Sequence, residues 1–411
     1  MSHPSSSVVV VSHRPGAWLA PCLASVLPHA DEVILVDNGS AGGQAGAIGE
    51  AQGVRVVRLA TNTGFVGGVN AALATVATDV VGLLNDDAVA EPRWLEVAVE
   101  ALGDPGVAAV GPKIVFTGTW AEIDLGECPH WTPGDARPLG THITALSVDG
   151  ADLLARAVGG LHRLETDGQG RRWRWSNGLD PLHVPVPDGA EAGDIEVRVN
   201  DRVVAVRRVG DVINNAGSYL SERGFGGDYG FETADDGRFD APGERFALSG
   251  AAMVTRRSTV EALGPLAADF FAYYEDLDWS WRARLAGMTI RYEPAAKVRH
   301  QRSATSGGAR TTPMLDLLGA RNRLLCLVRN APLDLAGREL VTSLRHPSAP
   351  GLRRSVAGHL PRALAARAIR ARSFRRRPAD VFATWAGRDN TWGLASQAPG
   401  ATVPGPNDGT R

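Results

Sequence analysis

Four places in this chain carry side chains of the right types and spacing for chemistry. Asn85-Asp86-Asp87 directly follows an apolar run. Two carboxylates leaving one end of a buried strand suit a hard divalent cation and leave it open positions for other oxygens. The same residues also suit a turn or a helix N-cap. Glu275-Asp276-Leu277-Asp278 puts three carboxylates in four residues at a predicted helix start. Acids there complement the helix dipole, and one set apart from a metal could take a proton from a hydroxyl. The stretch Asn62 to Asn70 (NTGFVGGVN) places Gly64, Gly67 and Gly68 ahead of a helix. Such a loop lets backbone approach phosphates closely, or it is a strand-to-helix turn with structural glycines. His300 closes a later segment, where an imidazole could complete a transition-metal site or simply pack. Asp278 and Arg282 are four apart and read as a structural pair. Together these residues suit group transfer: a cation meets an anionic leaving group, and a separate carboxylate faces a hydroxyl.

The elements that must position them alternate in type. Ser7–Ser12, Glu32–Asp37, Val54–Leu59, Asp79–Asn85 and Val107–Phe116 read as buried strands. Helical patterns at Trp18–Leu27, Gln44–Ala51, Gly67–Ala77 and Arg93–Leu102 separate them. Continuous apolar strands between helices predict an α/β fold, a mostly parallel sheet covered on both faces. Ligands then bind beyond the carboxyl ends of the strands, where Asp37, Asn62 and Asn85-Asp86-Asp87 fall. From 117 to 244 helical periodicity fades, and Gly, Pro, Trp and short β runs predict a β-rich insertion. Within it, Asp194–Val209 reads as a hairpin turning near Asn200-Asp201, and Arg171–Ser176 as a strand. Regular patterning resumes over 245–330, with a helix at Glu275–Ala286 capped by Gly287 and a strand at Met288–Glu293. Residues 331–397 predict a basic helical region, and the Pro/Gly-rich 398–411 a disordered tail.

Composition narrows the classes. The 411 residues are 44% hydrophobic and 21% charged, as in soluble globular proteins, and the formal net charge of −2 gives no global pull toward nucleic acid. Three scattered cysteines argue against a disulfide framework and for a reducing, cytoplasmic setting. No signal peptide or membrane-spanning run is evident. Leu352–Arg377 holds nine arginines and no acid, with Leu360, Leu364, Ile369 and Phe374 interleaved. The arginines between Arg353 and Arg377 suit an anionic membrane surface or a solvated helical face; no nucleic-acid-binding fold accompanies them.

Read in order, VVVVSHRP at 8–15, VILVDNGS at 33–40, NTGFVGGVNAAL at 62–73, VGLLNDDA at 81–88, LSGAAMVTRRS at 248–258, FFAYYEDLDWSWRARLAG at 270–287 and Pro294 to His300 resemble the family-2 glycosyltransferases of GT-A fold. The rhamnosyltransferase and galactofuranosyltransferase-like branch is the most similar, and ARNRL at 320–324 also fits it. The resemblance implies a nucleotide-binding half at 1–116 and an acceptor and catalytic half at 245–330. It implies Asp37, Asn62, Gly64, Asn70 and Asp86 on the donor nucleotide, and Asp87 with His300 on Mg2+ or Mn2+. Asn85 stands where the family's first metal-motif aspartate would. Asp276 is implied as catalytic base, with Glu275, Asp278, Trp279 and Arg282 on the acceptor side. The implied activity is inverting transfer from a dTDP- or UDP-sugar donor to a saccharide or lipid-linked acceptor. The residues also leave open a non-catalytic nucleotide-sugar or carbohydrate-binding protein of the same fold.

Overall fold

The computed structural model describes residues 4–132, 135, 137–301 and 313–387. The tail expected at 398–411, and the last part of the basic region, lie outside the described residues. The described chain divides into two compact units, one of 4–115, 215–229 and 237–387, the other of 116–214 and 230–236. The insertion is thus narrower than the expected 117–244, because 215–229 and 237–244 fold with the first unit.

The first unit is built on one sheet. Its strands in chain order are β1 Ser6–Ser12, β2 Glu32–Asn38, β3 Arg55–Leu59, β4 Val80–Asn85, β5 Ala88–Ala90, β6 Val107–Phe116, β7 Ser218–Leu220, β8 Gly226–Asp228, β9 Gly243–Glu244, β10 Ala252–Arg256 and β11 Thr289–His300. β7 and β8 pair as an antiparallel hairpin, and β7 also bridges to Ala247 and Ala386. The main order is β9-β11-β6-β10-β4-β1-β2-β3, with β5 on β11. β3, β2, β1 and β4 are parallel; β10 runs antiparallel to β4 and β6. Alternation along β1 explains the two cores. Val9 joins one cluster with Ile34, Val69 and Trp281, while Val8 and Val10 join the other with Leu35, Leu23 and Trp94.

The helices are α1 Leu19–Val26, α2 Gln44–Ala51, α3 Gly64–Leu73, α4 Trp94–Ala101, α5 Arg257–Leu263, α6 Glu275–Leu285, α7 Pro313–Asn330, α8 Leu333–Arg345, α9 Leu352–Arg370 and α10 Pro378–Trp385. α3 starts three residues before the expected Gly67, because its first turn has outside partners. The Asn62 side chain accepts from Gly64 N–H at 2.9 Å, and Phe271 C=O accepts from Val66 N–H at 3.1 Å. β11 continues past the expected Glu293 to His300, because β5 pairs with its far end.

The second unit is β-rich, with a core including Ile123, Ile143, Leu146, Leu182 and Val197. Thr119–Ile123 lies between Leu182–Val186 and Val206–Gly210. A four-stranded sheet is ordered Ala151–Asp152, Leu146–Val148, Val197–Val199, Arg202–Val204, and a three-stranded one Glu165–Thr166, Arg172–Trp175, His142–Ile143. The hairpin between Val197–Val199 and Arg202–Val204 turns at Asn200 and Asp201, φ 47° and 66°. Two positive φ values match the twist of paired strands, and Asn and Asp tolerate them.

The segment leading into α6 is held under strain. Phe271, Tyr273 and Tyr274 have φ of 67°, 69° and 68°. Left-handed backbone is unfavourable for residues with a Cβ, by about 1–3 kcal/mol each. α7 supplies the restraint. The fully buried Asn322 points Nδ2 at the carbonyls of Phe270, Ala272 and Tyr273, at 2.9, 2.8 and 2.8 Å. Arg321 Nη2 donates to Asp269 and Phe270 carbonyls, both at 3.0 Å. Arg329 pairs with the Asp269 carboxylate at 2.6 Å. Replacing Asn322 with Ala removes the side-chain donor of the Ala272 and Tyr273 carbonyls, while Phe270 C=O keeps Arg321, at a cost of about 1–3 kcal/mol. Urea unfolding should show that loss; a change below about 1 kcal/mol would mean the turn holds itself.

Candidate active site

The acidic loop after β4 meets the end of β11. Register sets His300 opposite Ala88 and Val298 opposite Ala90. Gln301 N–H donates to Asp87 C=O at 2.8 Å. These backbone pairings bring His300 Nε2 to 3.0 Å from Asp87 Oδ1 and 3.4 Å from Asn85 Nδ2. Both side chains are largely buried, with 7% of Asp87 and 17% of His300 accessible. Burial, reinforced by the neighbouring Asp87 charge, pushes the Asp86 carboxyl up to about 6. Beneath the loop the Cys22 thiol donates to Asn85 C=O at 3.2 Å, and burial pushes it well up, so it stays a neutral thiol. A carboxylate oxygen and an imidazole nitrogen aimed at one point are a donor set that fits a divalent ion. Among the described residues no three His, Cys, Asp or Glu side chains cluster for a metal. An ion held by Asp87 and His300 would therefore take its remaining ligands from substrate oxygens or water.

Asp276 is tied to this loop through one turn. Its Oδ2 accepts from Gly250 N–H at 2.9 Å and its Oδ1 from Leu277 N–H at 2.7 Å. The next residue, Ala251, accepts from Asn85 N–H at 2.9 Å. Asp276 and Asn85 are thus anchored on adjacent residues of the same backbone turn. Glu275 beside it is buried, and its Oε2 has no hydrogen-bond partner. Burial raises the affinity of both carboxyls for a proton, and for Glu275 the Asp276 charge adds to it. A carboxylate of raised basicity is suited to accept a proton from a hydroxyl.

The residues expected on the nucleotide side divide. Asn62 is exposed beside the α3 N-terminus, with Oδ1 accepting from Asn38 Nδ2 at 3.2 Å. Gly64 has φ of 76°, and a Cβ there would lie 2.3 Å from Phe271 O. Only glycine lets α3 and the α6 turn approach so closely. Asp37 is 3% exposed and uses its oxygens on Ser40 and Gly46 N–H groups, at 2.8 and 3.1 Å. It shapes the turn after β2.

Four expected contacts are corrected. Asn70 does not face the donor side: its amide bonds the Leu266 C=O and N–H, at 2.9 and 3.0 Å. Asp278, Trp279 and Arg282 do not line an acceptor surface; they are 0%, 2% and 3% exposed. Arg282 pairs with Asp278 at 3.0 Å and also donates to the carbonyls of Leu263, Gly264 and Pro265. Trp279 Nε1 donates to Gly264 C=O at 3.2 Å. Their work is to fix α6 in the core, consistent with the four-residue spacing of Asp278 and Arg282.

Sequence reasoning missed Asn38, Asn322 and the β7–β8 hairpin. Asn38, 2% exposed, accepts from Thr63 N–H at 2.9 Å and donates to Gly64 C=O at 2.9 Å, locking the glycine loop. The hairpin sits against the start of α6. A Cβ on Gly226 would be 3.2 Å from Leu277, and Arg245 donates to Ala216 C=O at 2.8 Å while stacking over Tyr229 and Tyr292. Asp228 ends the hairpin, with Oδ1 accepting from Asn215 at 2.7 Å and Ser218 at 2.8 Å. Asp228 is itself solvent-exposed, and crowding around its carboxyl, with repulsion from Asp276, shifts it only in the upward direction. A lone Asp in a Gly-rich stretch carries no sequence signal of this kind.

With this geometry established, comparison with known proteins is informative. Residues 7–141 match the family described as Glycosyl transferase family 2. No curated protein sequence matches the chain significantly. Among solved structures, GalNAc-T7 with UDP, GalNAc and Mn2+ is similar over 92% of this chain, at TM-score 0.55 and 12% identity. This chain spans 56% of that one, and the likeness shows the fold. The mannosyltransferase PcManGT from Pyrobaculum calidifontis with GDP-Man and Mn2+ covers 93% of this chain and 79% of its own, at TM-score 0.40 and 15% identity. Glucosyl-3-phosphoglycerate synthase from Mycobacterium tuberculosis covers 27% of this chain and 43% of its own, at TM-score 0.25 and 22% identity. Neither of these two adds to the fold assignment. Residues 7–141 thus match glycosyl transferase family 2, and the chain carries a GT-A fold with extra strands and C-terminal helices.

Proposed function

We propose that this protein is a metal-dependent, inverting hexosyltransferase. It would move a sugar from a dTDP- or UDP-sugar to a hydroxyl of a cell-envelope glycan or lipid-linked saccharide. The observation that supports it most is the convergence of Asp87 and His300 at 3.0 Å, with Asp276 anchored on the same Gly250-Ala251 turn as their loop. GalNAc-T7, the fold relative above, is solved with UDP and Mn2+.

In this reading Asn62 and the glycine loop at Gly64 receive the nucleotide, and Asp86 faces its ribose. Asp37 acts on the base through the turn it shapes. Asp87 and His300 would hold Mg2+ or Mn2+, which when bound offsets the charge that builds on the departing diphosphate. Asp276 takes the proton of the acceptor hydroxyl, and burial keeps that carboxylate basic. The acceptor oxygen forms its bond to the anomeric carbon as the bond to the diphosphate oxygen breaks. The leaving oxygen keeps the electron pair, and configuration inverts in one displacement.

Asp276→Asn should lower turnover about 10²–10⁴-fold while the donor, with Mn2+, still raises the melting temperature. Asp87→Ala and His300→Ala should each remove the Mn2+-dependent part of that rise. Full turnover in Asp276→Asn would overturn the base assignment. Wild-type donor binding with no transfer to any acceptor would favour a non-catalytic sugar-binding protein.

Peripheral membrane association fits the C-terminal helices. No described helix is long and apolar enough to cross a membrane. Leu364 and Ile369 of α9 are 49% and 74% exposed, close to exposed Arg362, Arg372, Arg375 and Arg376. Arg367 is instead committed to the carbonyls of Val328 and Ala331, and Arg377 to Asp380. Sedimentation with anionic liposomes should fall as salt rises; absent or salt-independent binding would remove the electrostatic version.

A further inference from the structure

The second unit carries a row of aromatic rings that its own core does not use. In strand Arg172–Trp175 successive side chains point to opposite faces. Arg174 points inward: it is 5% exposed and donates to the carbonyls of His162 and Ala157, at 2.8 and 2.7 Å. Trp173 and Trp175 therefore share the other face, where both are only half-buried. Register places His142 opposite Trp175, with ring centroids 4.7 Å apart. His142 lies 6.0 Å from Trp173, and His130 lies 6.3 Å from Trp175. The rings His130, Trp175, His142 and Trp173 thus form a continuous strip on a partly open face.

The Trp173 and His142 end of this strip opens into a groove of about 830 Å³, within the range of ligand-binding clefts. The groove runs between the three-stranded sheet, which contributes those rings, and the four-stranded sheet, which contributes Asp152. Its charged walls come as matched pairs. Arg171 binds Asp167 at 2.7 Å, and Arg172 binds Asp152 at 3.1 Å. Two acids against two arginines leave the lining without net charge.

That combination selects for one chemistry. A pyranose or furanose ring offers an apolar C–H face, which stacks on indole, and a rim of hydroxyls that each donate and accept. A carboxylate locked beside a guanidinium presents an acceptor and donors side by side, as such a rim requires. A charge-balanced groove gives a polyanion no electrostatic attraction, unlike the basic channels that hold single-stranded nucleic acid. We propose that this groove and its aromatic strip bind a neutral oligosaccharide chain, with Trp173 as the stacking platform. If the transfer reading above holds, that chain belongs to the acceptor; this last step rests on that reading, whereas the binding does not.

Affinity electrophoresis of the full-length protein in gels containing soluble mannan, galactan, arabinan or β-glucan tests it. At least one polysaccharide should retard wild type. Trp173→Ala should weaken that retardation about tenfold, and Trp173→Phe should restore part of it. Asp276→Asn should be retarded like wild type, which separates this site from the transfer site. The inference is overturned if no polysaccharide retards wild type, or if Trp173→Ala migrates as wild type does in the polysaccharide gel. It is equally overturned if oligothymidylate binds with the same dependence on Trp173 while the glycans do not. Unchanged thermal unfolding of Trp173→Ala would exclude misfolding as the cause of lost binding.

Discussion

The arrangement of the first unit depends on one buried amide. Asn322 holds the carbonyls of Phe270, Ala272 and Tyr273 in a turn in which Phe271, Tyr273 and Tyr274 are left-handed. That turn starts α6 at Glu275, so the direction in which Asp276 points is set from α7, some fifty positions later in sequence. The Phe271 carbonyl also accepts from Val66, which fastens the turn to the start of α3. A single strained loop therefore registers α3 against the helix bearing the candidate base. Strain of this kind survives only where packing over-determines it, and the buried Arg321, Asn322 and Arg329 provide that surplus.

A second constraint is the short pairing of β5 with the end of β11. Three residue pairs set His300 opposite Ala88 and so beside Asp87. A slip of one residue would turn the imidazole to the other face of the strand. The approach of His300 to Asp87 is thus a matter of sheet register, which is held by backbone hydrogen bonds and does not rely on side-chain flexibility. The carboxyls of Asp86 and Asp87 beside it are buried, and burial raises Asp86 to about 6. Concentrating acids in a partly desolvated cleft costs stability, and a cation or a proton relieves that cost.

The second unit solves a different problem with different means. Its strands are short, its core is built from Ile143, Leu146, Val184 and similar residues, and its outward face keeps tryptophan and histidine rings half-open. Exposed aromatic rings in a row have little to contribute to folding. Their position next to charge-balanced ion pairs is what distinguishes this face from ordinary surface.

Much of this architecture was legible in local pattern. β1, β2, β4 and β6 are continuous apolar runs, and Gln44–Ala51 and Val107–Phe116 fall at the bounds their residues predict, because burial on both sheet faces leaves only one reading. The four-residue spacing of Asp278 and Arg282 likewise announced their ion pair. Spacing could not say whether that pair lies on a surface or in a core, so Asp278, Trp279 and Arg282 were expected at the acceptor and are found buried. Asn70 was misplaced for the same reason: a helical amide has no sequence mark for which neighbour it will bond. The residue types able to bind a cation, accept a proton or admit a phosphate were present in the linear chain. Which of them meet was decided by strand register, by the left-handed turn under Asn322 and by the hairpin at Asp228, because these contacts join segments up to some two hundred residues apart and exist only once the sheet has closed its pairings.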